Sequence, residues 1–180
     1  MLGDDSVLLA AGAARGLGAA GDKRAVPSLV GVLRENYPVL REAAAEALGD
    51  LRDPGSIPAL EKVALEAGPG AVAAVNALSR LAESPEGKAS LCKLAAEGTL
   101  EVAALAARHA KARQGCPPEP LQARLGKGGA DTLAALAALE GLGTTAVSDK
   151  LAERLAGLLD GDRVVRLGAA RALASLEKAP

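Results

Sequence analysis

The chain has 180 residues, a net charge of −1 and a pI of about 5.9, and it is 49% hydrophobic but only 1% aromatic. With no Trp, no Phe and a near-neutral balance, it lacks the stacking groups and the phosphate attraction of a nucleic-acid binder, and its core must be Ala, Leu and Val. No apolar run reaches the roughly 18 residues that span a bilayer, and Asp4 and Asp5 stand where a signal peptide would be positive, so a cytoplasmic location and no membrane association are expected.

Residues 6–37 read as a helix pair. The run VLLAAGAA opens the first helix, which Gly12, Gly16 and Gly18 weaken by about 1 kcal/mol each relative to Ala. GDKRAVPSL then turns the chain into a second helix.

Residues 38–68 repeat this plan more clearly. Val39, Ala43, Ala44, Ala47, Leu48 and Leu51 fall on one helical face, and Arg41, Glu42, Glu46 and Asp50 take the other. Pro38 fits the first turn, where a missing N–H costs nothing. Arg52-Asp53-Pro54-Gly55 is a turn, Ser56 is the expected cap of the second helix, and Ile57, Leu60, Val63 and Ala64 mark its buried stripe. Gly68-Pro69-Gly70 ends it, with glycine expected at the left-handed position.

Residues 69–98 keep the pattern through Val72, Val75, Leu78 and Leu81, then Leu91, Leu94 and Ala95. Residues 99–129 depart most. A helix is expected over 100–113, a turn at Gln114-Gly115-Cys116-Pro117-Pro118, and a short helix at about Leu121–Leu125 that Pro120 forces to start late. Gly126, Gly128 and Gly129 then mark a break and a point of flexure. Residues 130–161 are regular, with Leu133, Leu136, Leu139 and Leu142 on a first helix closed by Gly143, and Leu151, Leu155, Leu158 and Leu159 on a second. Residues 162–178 give half a unit, one helix with Val164, Leu167, Ala170, Leu173 and Leu176 as its stripe.

Unit starts at 38, 69, 99, 130 and 162 recur at steps of 31, 30, 31 and 32 residues. A fixed period of this length is the signature of a stacked repeat. Each helix is roughly three turns, too short to persist alone in water, so the stabilising contacts must lie between units. One repeat domain over residues 1–180 is expected.

EAAAEALGDLRDPGSIPAL and its earlier copy GAARGLGAAGDKRAVPSL resemble the HEAT-like repeat of the phycobilisome-lyase type: an Ala-rich helix with a Leu-Gly end, an Asp-centred turn, and a Val/Ile-Pro-x-Leu start to the second helix. The resemblance implies an all-α, right-handed α-solenoid of about five and a half antiparallel helix pairs. It also implies a role in protein contacts, with bilin (tetrapyrrole) lyase-like activity as the catalytic alternative and a structural spacer in a longer repeat protein as a third.

The chemistry of the chain argues against several related activities. Deoxyhypusine hydroxylase-like proteins hold two irons through several His-Glu pairs, whereas this chain has the single His109, followed by Ala110. His-rich zinc sites fail for the same reason. His109 shares a stripe with Val102 and Leu105 and is read as structural. Cys92 and Cys116 are read as two reduced structural thiols, the first on a helix face and the second in a loop. No catalytic residue, metal or cofactor is expected, nor a small-molecule ligand.

One charged region stands out. Residues 108–127 carry Arg108, Lys111, Arg113, Arg124 and Lys127 against Glu119 alone, a balance of +4, while residues 35–66 have a balance of −4. The basic cluster is the candidate partner-binding site, suited to an acidic segment of another protein. A second pattern is a ladder of Arg15, Glu46, Asn76 and Arg171 at one repeat position, which sets Arg15 beside Glu46 if neighbouring units stack. The expected function is a non-catalytic protein–protein interaction scaffold or regulatory module.

Overall fold

The structure, a computed structural model, describes residues 2–111, 116–117, 119–142 and 149–176. Among them are eleven α-helices and no strand: α1 (Leu2–Ala20), α2 (Val26–Val32), α3 (Pro38–Leu51), α4 (Ile57–Leu65), α5 (Ala71–Leu81), α6 (Pro85–Glu97), α7 (Leu100–Lys111), α8 (Glu119–Arg124), α9 (Gly129–Leu142), α10 (Asp149–Gly157) and α11 (Arg163–Leu176). The chain divides into two compact units, Met1–Ser90 and Leu91–Pro180.

In the first unit α1, α3 and α5 lie side by side, α2 packs on α3 and α4 packs on α5. Ala43, Ala44, Ala47, Leu48, Leu60, Ala64, Ala74, Val75 and Leu78 are all sealed from solvent. The Leu-Gly end of each first helix has a packing role. A Cβ at Gly18 would lie 2.6 Å from the Ala47 Cα, and one at Gly49 would lie 2.9 Å from the Ala77 Cα. Glycine on one helix and alanine on the next let the two backbones meet.

The turns follow the aligned aspartates. The Asp22 carboxylate accepts the backbone N–H of Arg24 at 3.0 Å, and the Asp53 carboxylate accepts that of Gly55 at 2.9 Å. Hydrogen bonds from the Arg24 side chain and backbone hold the Asp22 carboxyl below its usual range. Each aspartate opens a short 3₁₀ turn that leads directly into α2 or α4. Asp53 therefore replaces Ser56 as the cap. Ser56 is fully buried, and its hydroxyl donates to the Asp53 carbonyl at 2.7 Å. After α4 the left-handed position belongs to Ala67, at φ 53°, while Gly70, at φ 88°, precedes α5.

In the second unit α7, α9 and α11 lie side by side, α8 packs on α9 and α10 packs on α11. Gly141 on α9 repeats the close approach, with its added Cβ 3.0 Å from the Ala107 Cβ on α7. α8 starts at Glu119, sooner than expected, because Pro120 is tolerated in its first turn. The glycine-rich link after α8 is tied down: Gly126 N–H donates to the hydroxyl of buried Thr132 at 3.2 Å. The expected positions of Gly143 and of the turn residues Gln114, Gly115 and Pro118 lie outside the described residues.

On α3 the expected stripe is buried from Ala43 to Leu51, and only its first residue differs, with Leu40 buried in place of Val39. On α11 the stripe lies elsewhere: Val165, Ala169 and Ala172 are buried, while Val164 and Leu167 are 59% and 54% exposed.

The reading of two reduced thiols is also corrected. Cys92 on α6 and Cys116, between α7 and α8, form a disulfide with their Cα atoms 5.3 Å apart and a separation of 24 residues. That separation is six or more residues short of the repeat step, so the bond joins α6 to the link after the next first helix and not to an equivalent repeat position. The helices thus pack as successive neighbours within each unit, an all-α arrangement of helix pairs laid one against the next.

Candidate protein-binding surface

The described members of the basic cluster lie on α7, on α8 and just beyond α8. Arg108 lies exposed on α7, beside Ala104, Ala137, Glu140 and Gly141, which with it line a groove of about 450 Å³. Gly141, one of the residues that line it, is where α9 comes closest to Ala107 on α7.

Arg124 on α8 is engaged differently. Its side chain is only 13% exposed. One nitrogen donates to the carbonyls of Ala96 and Gly98 at 2.9 and 2.8 Å, and the other two reach the Asp131 carboxylate at 2.9 and 2.8 Å. The guanidinium therefore caps the C-terminal end of α6, where carbonyls lack helical partners and the dipole favours a cation. Its charge serves the fold.

Lys127 is exposed just beyond α8 and lines a groove of about 360 Å³ with Glu97, Pro120, Arg124 and Asp131. Lys111 ends α7, and its side chain lies outside what is described, as does the whole of Arg113. Of the five expected basic residues, Arg108 and Lys127 are thus the described cations that face solvent.

His109 is half-buried on α7. Burial, and then the neighbouring Arg108 charge, push its imidazole below the ordinary value of 6.5. Among the described residues no group of three or more His, Cys, Asp and Glu side chains is placed to hold a metal ion, and no helix is long and apolar enough to cross a membrane.

The first unit presents a second polar face. Arg15 Nε donates to the Glu46 carboxylate at 2.8 Å, the pair that the ladder placed together. One turn on, Arg80 pairs with Asp50 and reaches the Glu46 carbonyl at 3.5 Å. This second rung was not anticipated, although Asp50 and Arg80 stand 30 residues apart, one repeat step. Asn76 is exposed. Glu42, Glu46, Val72, Asn76 and Arg80 line a groove of about 450 Å³ between α3 and α5.

Residues 1–73 match the family described as HEAT repeats. No curated protein matches the chain. Among solved structures, human deoxyhypusine hydroxylase in complex with glycerol is similar at 21% identity and a TM-score of 0.48, over 98% of this chain and 82% of that chain. An engineered protein is similar at 23% identity and a TM-score of 0.44, over 96% of this chain and 87% of that chain.

Proposed function

With HEAT repeats in residues 1–73 as the premise, we propose that the chain is a protein-binding scaffold or regulatory module that meets an acidic segment of its partner through Arg108 and Lys127. The observation that carries this reading is the contrast within the basic cluster. Arg124 is absorbed by the α6 carbonyls and Asp131, whereas Arg108 and Lys127 stand exposed and each lines a groove. Exposed cations of this kind steer an acidic partner and make its capture sensitive to salt.

The test is charge reversal at the exposed cations alone. Arg108→Glu with Lys127→Glu should reduce capture of the bound partner at low salt, with a smaller difference at high salt, while the melting temperature stays within about 2 °C. Equal capture by the wild type and the double variant at low salt overturns the reading. Arg124 is unsuitable for this test, because its replacement exposes the α6 carbonyls and reports on folding. The competing class is an enzyme subunit acting on a tetrapyrrole. Titration with a bilin separates the two, since the scaffold reading predicts no change in the chromophore's absorbance.

A further inference from the structure

α8 is the weakest element of the second unit by its own resources. It has six residues, well below the length at which a helix persists alone, and it contains Pro120. Its buried side chain is Leu121. Something must hold it, and two attachments to α6 do so. At its C-terminal end Arg124 donates to the Ala96 and Gly98 carbonyls. Ahead of its N-terminal end Cys116 is bonded to Cys92, one turn before Ala96 on the same helix α6. A third contact, from Arg154 to the Leu125 carbonyl at 3.1 Å, fixes the chain just past α8.

Taken as whole residues, Cys116 is 9% exposed and Cys92 is half-buried. We infer that the Cys92–Cys116 disulfide is a reversible thiol latch that holds α8 against α6 when oxidised and releases it when reduced by a small thiol such as glutathione. A thiolate attacks the Cys92 Sγ, the S–S bond breaks, and the Cys116 thiolate leaves and takes up a proton. A second thiolate then attacks the reductant's sulfur in the mixed disulfide. This frees the Cys92 thiolate, which is protonated in turn, and yields a small-molecule disulfide; two electrons pass to the protein.

Opening leaves α8 with Arg124 as its attachment to α6, and a six-residue helix with one covalent anchor removed frays. Its packing on α9 and the groove shared by Glu97, Pro120 and Lys127 loosen together. A buried polar cap can keep a helix in register, but it cannot substitute for a covalent tether in the unfolded ensemble. The latch is independent of the partner reading, because it concerns the order of α8 and not what binds there.

The experiment uses the whole chain. The protein is oxidised, its free thiols are counted, and it is equilibrated with millimolar reduced glutathione while amide hydrogen exchange is followed. The oxidised protein should show no free thiol. Glutathione should restore two, and exchange over residues 119–125 should speed by about tenfold with α1, α3 and α5 unchanged. The double variant Cys92→Ser, Cys116→Ser should match the reduced protein under both conditions. Two free thiols after oxidation overturn the latch, and so does a bond that glutathione fails to open. Reduction with unchanged exchange over residues 119–125 overturns it as well.

Discussion

His109 shows how one side chain ties the fold to pH. It is half-buried on α7, and burial together with Arg108 pushes it below 6.5. A base with a lowered pKa is held neutral in the fold, while the unfolded chain takes up the proton more readily. The stability it contributes is therefore present above the ordinary histidine value and is lost as pH falls through the lowered one. Between about pH 7 and about pH 5 the urea midpoint of the wild type should fall further than that of His109→Gln, measured side by side. Parallel falls in the two proteins would show that His109 gives no such linkage.

At the same scale, Arg124 explains why charge counting overstates a surface. Its positive charge was plain in the sequence, but the carbonyls of Ala96 and Gly98 that it caps carry no sequence signal of their own. Cys92 and Cys116 were missed for a related reason. Their residue types were evident, but their contact depends on how far α6 and the α7–α8 link slide past each other, which the repeat period gives only roughly.

At the scale of the element, the glycines of α1 and α3 separate two effects that propensity alone merges. A Cβ at Gly12 or Gly16 meets nothing within 4 Å, so Gly→Ala at either site should stabilise by about 0.5–1 kcal/mol through helix propensity. Gly18 and Gly49 lie against Ala47 and Ala77, and the same substitution there should destabilise by about 1–3 kcal/mol because the backbones must part. Chemical denaturation of the four single variants checks this. Four changes of the same sign would mean that the Leu-Gly ends do not set the helix spacing.

Element existence was legible because the Ala-rich first helices, the aligned Asp22 and Asp53 turns and the Pro27 and Pro58 starts recur at a fixed step. The buried face was less so. α3 and α11 carry apolar residues at adjacent positions, Val39 beside Leu40 and Val164 beside Val165. Neighbouring residues differ by about 100° around a helix, so either can begin an apolar stripe. Which of them is covered depends on how the neighbouring helices pack: Leu40 and Val165 are buried and Val39 and Val164 are exposed.

At the scale of the molecule, five side-chain hydrogen bonds among the described residues carry the same message as the packing. Arg15 to Glu46 spans 31 residues, Arg80 to Asp50 spans 30, Ser90 to Glu61 spans 29, Arg124 to Ala96 spans 28 and Arg154 to Leu125 spans 29. Each is close to one repeat step, so these bonds tie a hairpin to its neighbour. Stability in such an array is a sum of short-range terms rather than the property of a single core.

Residue-level hydrogen exchange on Gly49→Val tests that claim most directly, because the added side chain wedges α3 from α5 at the Ala77 contact. Exchange should accelerate in α3 and α5 and in the helices packed on them, with α9 and α11 keeping wild-type rates. Equal acceleration in α9 and α11 would contradict the account, since it would mean that one shared core, and not neighbour upon neighbour, holds the chain together.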